Sequence, residues 1–160
     1  MEIRRARLED AAKLAEQMKA VVDEGGWLAT ESDRTIEQLT AMFRAGLEEG
    51  HILFILEDDL RVAGAIGLHP TGIDGVLNLG MSILAEHRGQ GWGRKLLDAA
   101  LAAAEAEVVR KIALEVFPDN GRAIALYAAA GFEVEGVKRN HYLREDGSLR
   151  SALLMARFVG

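Results

Sequence analysis

Arg88-Gly89-Gln90-Gly91-Trp92-Gly93-Arg94-Lys95 is the stretch on which the reading of this chain turns. It lies between residues 76–84, which alternate like a half-buried strand, and residues 94–109, whose apolar positions recur at helical spacing. Glycine has no Cβ, so its backbone reaches dihedrals closed to other residues and lets a ligand approach the amides. The first N–H groups of a helix have no partner inside it, and the helix dipole adds a favourable field, so a turn of this kind binds anions. Three alternating glycines preceded by an arginine exceed what a tight connection alone requires. Spacing then narrows the ligand. A dinucleotide fold wants glycine at relative positions one, three and six, but the sixth position is Arg94. A nucleotide P-loop wants GxxxxGK followed by Ser or Thr, and the chain has no such run.

Outward from this turn, the pattern predicts alternating strands and helices. Residues 3–7 read as a strand and residues 8–22 as a helix stopped by Gly25-Gly26, with a loop over 27–33 and a second helix over 35–49. A hairpin follows, with arms 52–56 and 62–68 joined by the polar turn Glu57-Asp58-Asp59. In residues 76–84, Leu77, Leu79, Met81 and Ile83 take one face and Asn78, Gly80 and Ser82 the other. Beyond the turn, residues 112–117 predict a strand, 121–130 a helix closed by Gly131, and 132–137 a strand. Asp146-Gly147 then turns a second hairpin between 141–144 and 149–158. Repeats, linkers and low-complexity tracts are absent, so the expectation is one domain over 1–160, an α/β sheet with helices packed on it.

Composition sets outer limits. A chain of 160 residues can remove roughly 70% of its unfolded surface from water without a metal or disulfide. Cysteine is absent, which excludes disulfides, thiolate zinc sites and a cysteine nucleophile, and fits a cytoplasmic setting. Residues 1–5 run into a helical pattern, so no signal peptide is expected, and the longest apolar runs fall far short of the ~20 residues of a membrane span. The formal charge is −6 with scattered Lys and Arg, so no nucleic-acid partner is expected. His51, His69, His87 and His141 lack ligand spacing, so no metal site is expected.

Arg88-Gly89-Gln90-Gly91-Trp92-Gly93 resembles the R/Q-x-x-G-x-G/A acyl-CoA signature of the GNAT superfamily of N-acetyltransferases. The resemblance spans nearly the whole chain and is strongest over residues 76–136. It implies the GNAT fold, a mixed and mostly antiparallel sheet flanked by helices, with acetyl-CoA as co-substrate. It also implies that the backbone of Ile83, Leu84 and Ala85 holds the pantetheine arm. The turn of Arg88, Gly89, Gln90, Gly91, Trp92, Gly93 and Arg94 would hold the pyrophosphate.

A second constellation, Asn120 with Tyr127 ahead of Gly131-Phe132, is similar to the other half of that family's site. Positions seven apart on a helix share a face about 10 Å apart along the axis, which suits contacts to an extended arm. The resemblance gives Asn120 to the cofactor and Tyr127 to the thiol sulfur. Read as bare residues, Asn120 is equally a helix N-cap and Tyr127 a core aromatic.

An amine attacks a thioester only as its free base, so the reaction needs a route for a proton. Many GNAT members place a glutamate on the strand before the turn, and the matching position here is Asn78, which is no base. Glu115 on the next strand, Glu31 or Asp33 in the early loop, and solvent remain. Glu115 is the catalytic candidate, and Glu31 and Asn78 are candidates for touching substrate. His87 reads as an exposed turn residue. The expected reaction is acetylation of a small-molecule primary amine, with a protein N-terminus as the alternative acceptor and a non-catalytic acyl-CoA-binding module as the alternative function. The resemblance further implies a homodimer completed by the last hairpin.

Overall fold

In the computed structural model, which describes residues 1–29 and 34–160, seven strands form one sheet in the order β1-β2-β3-β4-β5-β7-β6. The strands are β1 (Glu2–Arg5), β2 (Ile52–Asp58), β3 (Arg61–Pro70), β4 (Val76–Ile83), β5 (Lys111–Val116), β6 (Glu133–Leu143) and β7 (Leu149–Phe158). Helices α1 (Ala11–Glu24) and α2 (Ile36–Glu48) cover one face, and α3 (Trp92–Glu105) and α4 (Gly121–Ala129) belong to the other. No helix among the described residues is long and apolar enough to cross a membrane.

Every neighbouring pair of strands is antiparallel except β4 and β5, and that exception positions the site. Strand β4 pairs with β3 along its length, from Gly64 opposite Ile83 to Pro70 opposite Leu77. Against β5 it pairs only over Val76, Leu77 and Asn78, opposite Lys111, Ile112 and Ala113. Past Asn78 the two strands part, and a cleft opens through the middle of the sheet.

Two hydrophobic clusters flank the sheet. Leu96, Leu97 and Leu101 of α3 pack with Ile66, Leu68, Ile112 and Leu114 on one side; Leu14, Leu39 and Phe43 of α1 and α2 pack with Leu53 and Ile55 on the other. Both β2 and β3 are therefore covered on two faces, whereas Asn78 and Gly80 of β4 are exposed on the α1 side.

Several boundaries differ from the sequence expectation. Residues 8–10 form a 3-10 turn, because the buried Asp10 carboxylate accepts from the Arg7 amide at 2.7 Å and from Arg4 at 2.8 and 2.9 Å. The β2 arm runs through Asp58, with the turn at Asp59-Leu60, Asp59 adopting a left-handed φ of 52°. Helix α3 starts at Trp92 and ends at Glu105, where the Ala106 and Glu107 amides close tighter turns on Ala103 and Ala104. Residues 132–137 and 141–144 are not separate strands. They merge into β6, whose register slips between Lys138 and Tyr142, where Asn140 has a φ of 46° and its amide donates to Ser151 Oγ at 2.9 Å. Asp146-Gly147 turns the hairpin as expected, with Gly147 at a φ of 81° and the Ser148 amide donating to Asp146 Oδ1.

Candidate active site

A cleft of about 850 Å³ lies along the end of β4 beyond its pairing with β5, and runs from the N-termini of α3 and α4 to the end of α1. Its phosphate end is the glycine turn. Gly89 and Gly91 have φ of 73° and 84°, a region an L side chain enters at a cost of about 1–2 kcal/mol. Gly91 stands immediately before α3, and no side chain caps that helix. The contrast with α4 is direct, since there Asn120 Oδ1 accepts from the Ala123 amide at 3.2 Å. Two helices thus begin at one cleft, one satisfied by its own side chain and one with its first amides open to a ligand. Gly93 lies where α3 meets α4 and β4, and a Cβ there would stand in ordinary contact with Leu126 and Ile83, 3.4 and 3.5 Å away.

Of the residues expected at the turn, Gly89, Gly91, Gly93 and Arg94 line the cleft, while Gln90 and Trp92 do not. The Gln90 amide turns away to the Glu86 carbonyl at 2.8 Å, and Trp92 packs against the core beneath Lys95. Arg88 lines the cleft but is already engaged. Its Nε donates to the Ile83 carbonyl at 2.7 Å, and its two terminal nitrogens pair with Glu24 at 2.7 and 2.9 Å. That fork ties the turn to the end of α1. A further cation, Arg122 at the start of α4, also lines the cleft, beside Gly89. The open amides with Arg94 and Arg122 beside them fit a doubly phosphorylated carrier.

Further in, Met81, Ser82 and Ile83 line the cleft, a stretch two residues earlier than the Ile83, Leu84 and Ala85 expected and sharing Ile83 with it. Leu84 is buried and its amide donates to the Ala63 carbonyl at 2.8 Å, while Ala85 opens a 3-10 turn, so the free edge of β4 ends at Ile83. His87 is not the exposed turn residue expected. Its side chain is 14% exposed and its ring nitrogen lies 3.6 Å from Asp58.

Asn120 lines the cleft and caps α4 at once. Tyr127 is buried against Phe132, and burial pushes its hydroxyl up to about 12. The hydroxyl makes no hydrogen bond among the described residues, yet no fully buried side-chain polar atom there lacks a partner. Tyr127 does not itself line the cleft; it lies one helical turn beyond Ala123, which does, on the same face of α4.

On the α1 side of the sheet, Ile112, Leu114 and Val116 turn into the α3 cluster, so Glu115 faces the other way. Extending the β4–β5 register past Asn78 and Ala113 sets Glu115 level with Gly80, across the gap. Burial alone raises the Glu115 carboxyl, but hydrogen bonds from Lys138 and Tyr142 and the Lys138 charge outweigh it and hold the group below its usual range. Such a carboxylate is a poor proton acceptor. Asn78 is exposed on the same face. Glu31 lies outside the described residues. Before it, the loop over 25–29 is pinned to the last hairpin: Arg150 donates to the Gly26 carbonyl at 2.6 Å, and Arg144 to the Leu28 and Ala29 carbonyls at 3.2 and 3.1 Å. Both arginines stack over Phe117. Sequence patterns carried no trace of this bridge, because its two sides stand more than a hundred residues apart.

Comparison with known proteins agrees with this geometry. Residues 14–132 match the acetyltransferase (GNAT) family. The [ribosomal protein bS18]-alanine N-acetyltransferase of Escherichia coli (strain K12) is 30% identical over 114 residues, which cover 71% of this chain and 76% of that one. A putative acetyltransferase from Salmonella typhimurium, solved with its cofactor acetyl-CoA, superposes with a TM-score of 0.89 at 20% identity, over 100% of this chain and 94% of that one. A phosphinothricin acetyltransferase from Sinorhizobium meliloti in complex with AcCoA gives 0.88 at 20% identity, over 99% and 88%.

Proposed function

This chain belongs to the GNAT family of acetyltransferases, and from that premise we propose that it transfers the acetyl group of acetyl-CoA to the primary amine of a small molecule. The single observation that carries the transfer is the parting of β4 from β5 beside an uncapped α3 N-terminus. In this reading the α3 amides with Arg94 and Arg122 hold the pyrophosphate. The free edge of β4 up to Ile83 holds the pantetheine arm, and Asn120 lines its path. The amine nitrogen attacks the thioester carbonyl carbon directly; a C–N bond forms, the C–S bond breaks, and the sulfur leaves with its electron pair. No enzyme nucleophile is needed.

Tyr127 donates a hydrogen bond to the departing sulfur. Full proton transfer from a hydroxyl near 12 to a thiolate near ~8.5 is uphill by roughly 5 kcal/mol, so its contribution is stabilisation of developing charge. Glu115, held ionised, draws the cationic form of the amine toward the mouth, and water takes the proton that the amine must lose.

A small acceptor is supported by the bridge of Arg144 and Arg150 to residues 26–29, which narrows the mouth between the loop and the last hairpin. The bS18-alanine relative favours the other acceptor, a protein N-terminal amine. The reading also keeps the cytoplasm as the setting, on the absence of cysteine, and a homodimer as the assembly, on the family resemblance. The test measures release of free CoA with amino acids, other small amines and short peptides beginning with alanine. Turnover should favour a small amine; a preference for the alanine peptides would overturn the small-molecule acceptor.

A further inference from the structure

Among the described residues, Ser82 is the only one lining the cleft that carries a hydroxyl, and it sits on the α1 side of β4, the face it shares with Gly80 and Asn78. Among the described residues, none beyond Gly80 and its two chain neighbours places an atom within 4 Å of where a Gly80 Cβ would be, so a small group has room over the strand beside Ser82. Beneath Ser82 is Gln17 of α1, a polar side chain only 3% exposed in an otherwise apolar helix face. Its Nε2 and Oε1 each lie 3.1 Å from Ser82 Oγ. Burying an amide costs free energy unless it is bonded, and this one makes its side-chain bonds to Ser82 alone among the described residues.

A serine hydroxyl has one hydrogen and two lone pairs. Oε1 and Nε2 of one amide stand too close together for a single hydroxyl to bond both at once, so Gln17 takes either the Ser82 hydrogen or one of its lone pairs. In both arrangements at least one lone pair of Ser82 stays free to accept from an N–H. We propose that Ser82 receives the N–H of the acceptor amine over Gly80, and that Gln17 is the positioning residue that keeps the Ser82 lone pair turned outward. The inference rests on the acetyltransferase reading above and deepens it by assigning a residue to the amine. Ser82 takes no proton. It accepts a hydrogen bond from one N–H while the nitrogen lone pair attacks the carbonyl carbon, and the proton released after C–N bond formation passes to water.

The experiment is steady-state kinetics on the amine identified by the acceptor panel, with acetyl-CoA varied separately. Ser82→Ala should lower kcat/KM for the amine about tenfold, the effect of one hydrogen bond, and leave KM for acetyl-CoA within about twofold. Ser82→Thr, which keeps the hydroxyl on a strand-compatible side chain, should restore most of it. Gln17→Leu should lose about as much as Ser82→Ala, and the double variant should lose no more than either. Ser82→Ala leaves the buried Gln17 amide without its partner, so Ser82→Thr, which keeps the oxygen, and an unchanged KM for acetyl-CoA separate loss of the amine contact from loss of fold. An unchanged kcat/KM for the amine in Ser82→Ala, a loss confined to KM for acetyl-CoA, or losses that multiply in the double variant would each overturn the proposal. A native enzyme that turned over no amine would instead sink the acetyltransferase reading itself, and this inference with it.

Discussion

The two edges of β4 are treated in opposite ways. Along the β3 edge, residues 77–83 are paired without a break; along the β5 edge, pairing stops after Asn78. The closed edge belongs to a half of the sheet covered by helices on both faces and anchored by Arg4, which reaches Asp10 and Glu57 together. The open edge has no such cover, and the groups that line the cleft stand beside it: the bare α3 amides, Ser82 and Asn120. An unpaired strand edge inside a sheet is costly unless something else bonds to it. An extended amide-bearing arm is such a partner, which is why the interrupted pairing reads as a binding site and not as a packing defect.

With the two edges divided in this way, damage to the two sides separates cleanly. Gly91→Val should be the most severe change. It forces a β-branched residue into a left-handed conformation and crowds the amides before α3, so acetyl-CoA binding should weaken by a hundredfold or more, measured by calorimetry. Asp10→Asn attacks the closed side and should cost about 3 kcal/mol at pH 7 in denaturant unfolding, with acetyl-CoA affinity unchanged. Asp10 also fixes a pH dependence. The Arg4 hydrogen bonds hold its carboxyl below the usual range in the folded state, so its stabilisation is fully present above the unfolded value. It is lost progressively as pH falls below about 4 toward the folded value. The variant should show a flatter acid limb.

Smaller effects sharpen the picture of the open side. Tyr127→Phe should lower kcat roughly tenfold to a hundredfold with acetyl-CoA KM nearly intact; an unchanged kcat would remove Tyr127 from the mechanism. Glu115→Gln should be milder still, within about fivefold in kcat/KM and without moving the pH profile, because a carboxylate held below its usual range and engaged by Lys138 and Tyr142 is a weak base that does not titrate near neutrality. A profile that lost an ionisation in that variant would make Glu115 the base.

Much of this was readable in the chain because the signals are local. A glycine before a helix, an Asn at an N-cap and an Asp-Gly turn declare themselves within a few residues, and Gly91, Asn120 and Asp146-Gly147 all behave accordingly. What stayed hidden depends on partners far apart in sequence. Arg88 reads as a phosphate ligand until Glu24, 64 residues away, takes its guanidinium; Gln17 reads as an ordinary helix residue until Ser82, 65 residues away, meets it. The parting of β4 from β5 belongs to the same class, since no local pattern states where two strands stop pairing. The register slip in β6 fooled the pattern for a related reason: Asn140 looks like a strand end but is an irregularity inside one.

The central claim is that acetyl-CoA lies in the gap beside β4 with its phosphates on the bare start of α3. Hydrogen–deuterium exchange with and without acetyl-CoA tests it most directly. The account predicts new protection over residues 79–83 and 89–94, with residues 64–70 of β3 unchanged. Protection that spares the glycine turn, or that appears instead on the exposed side of α2, would contradict it.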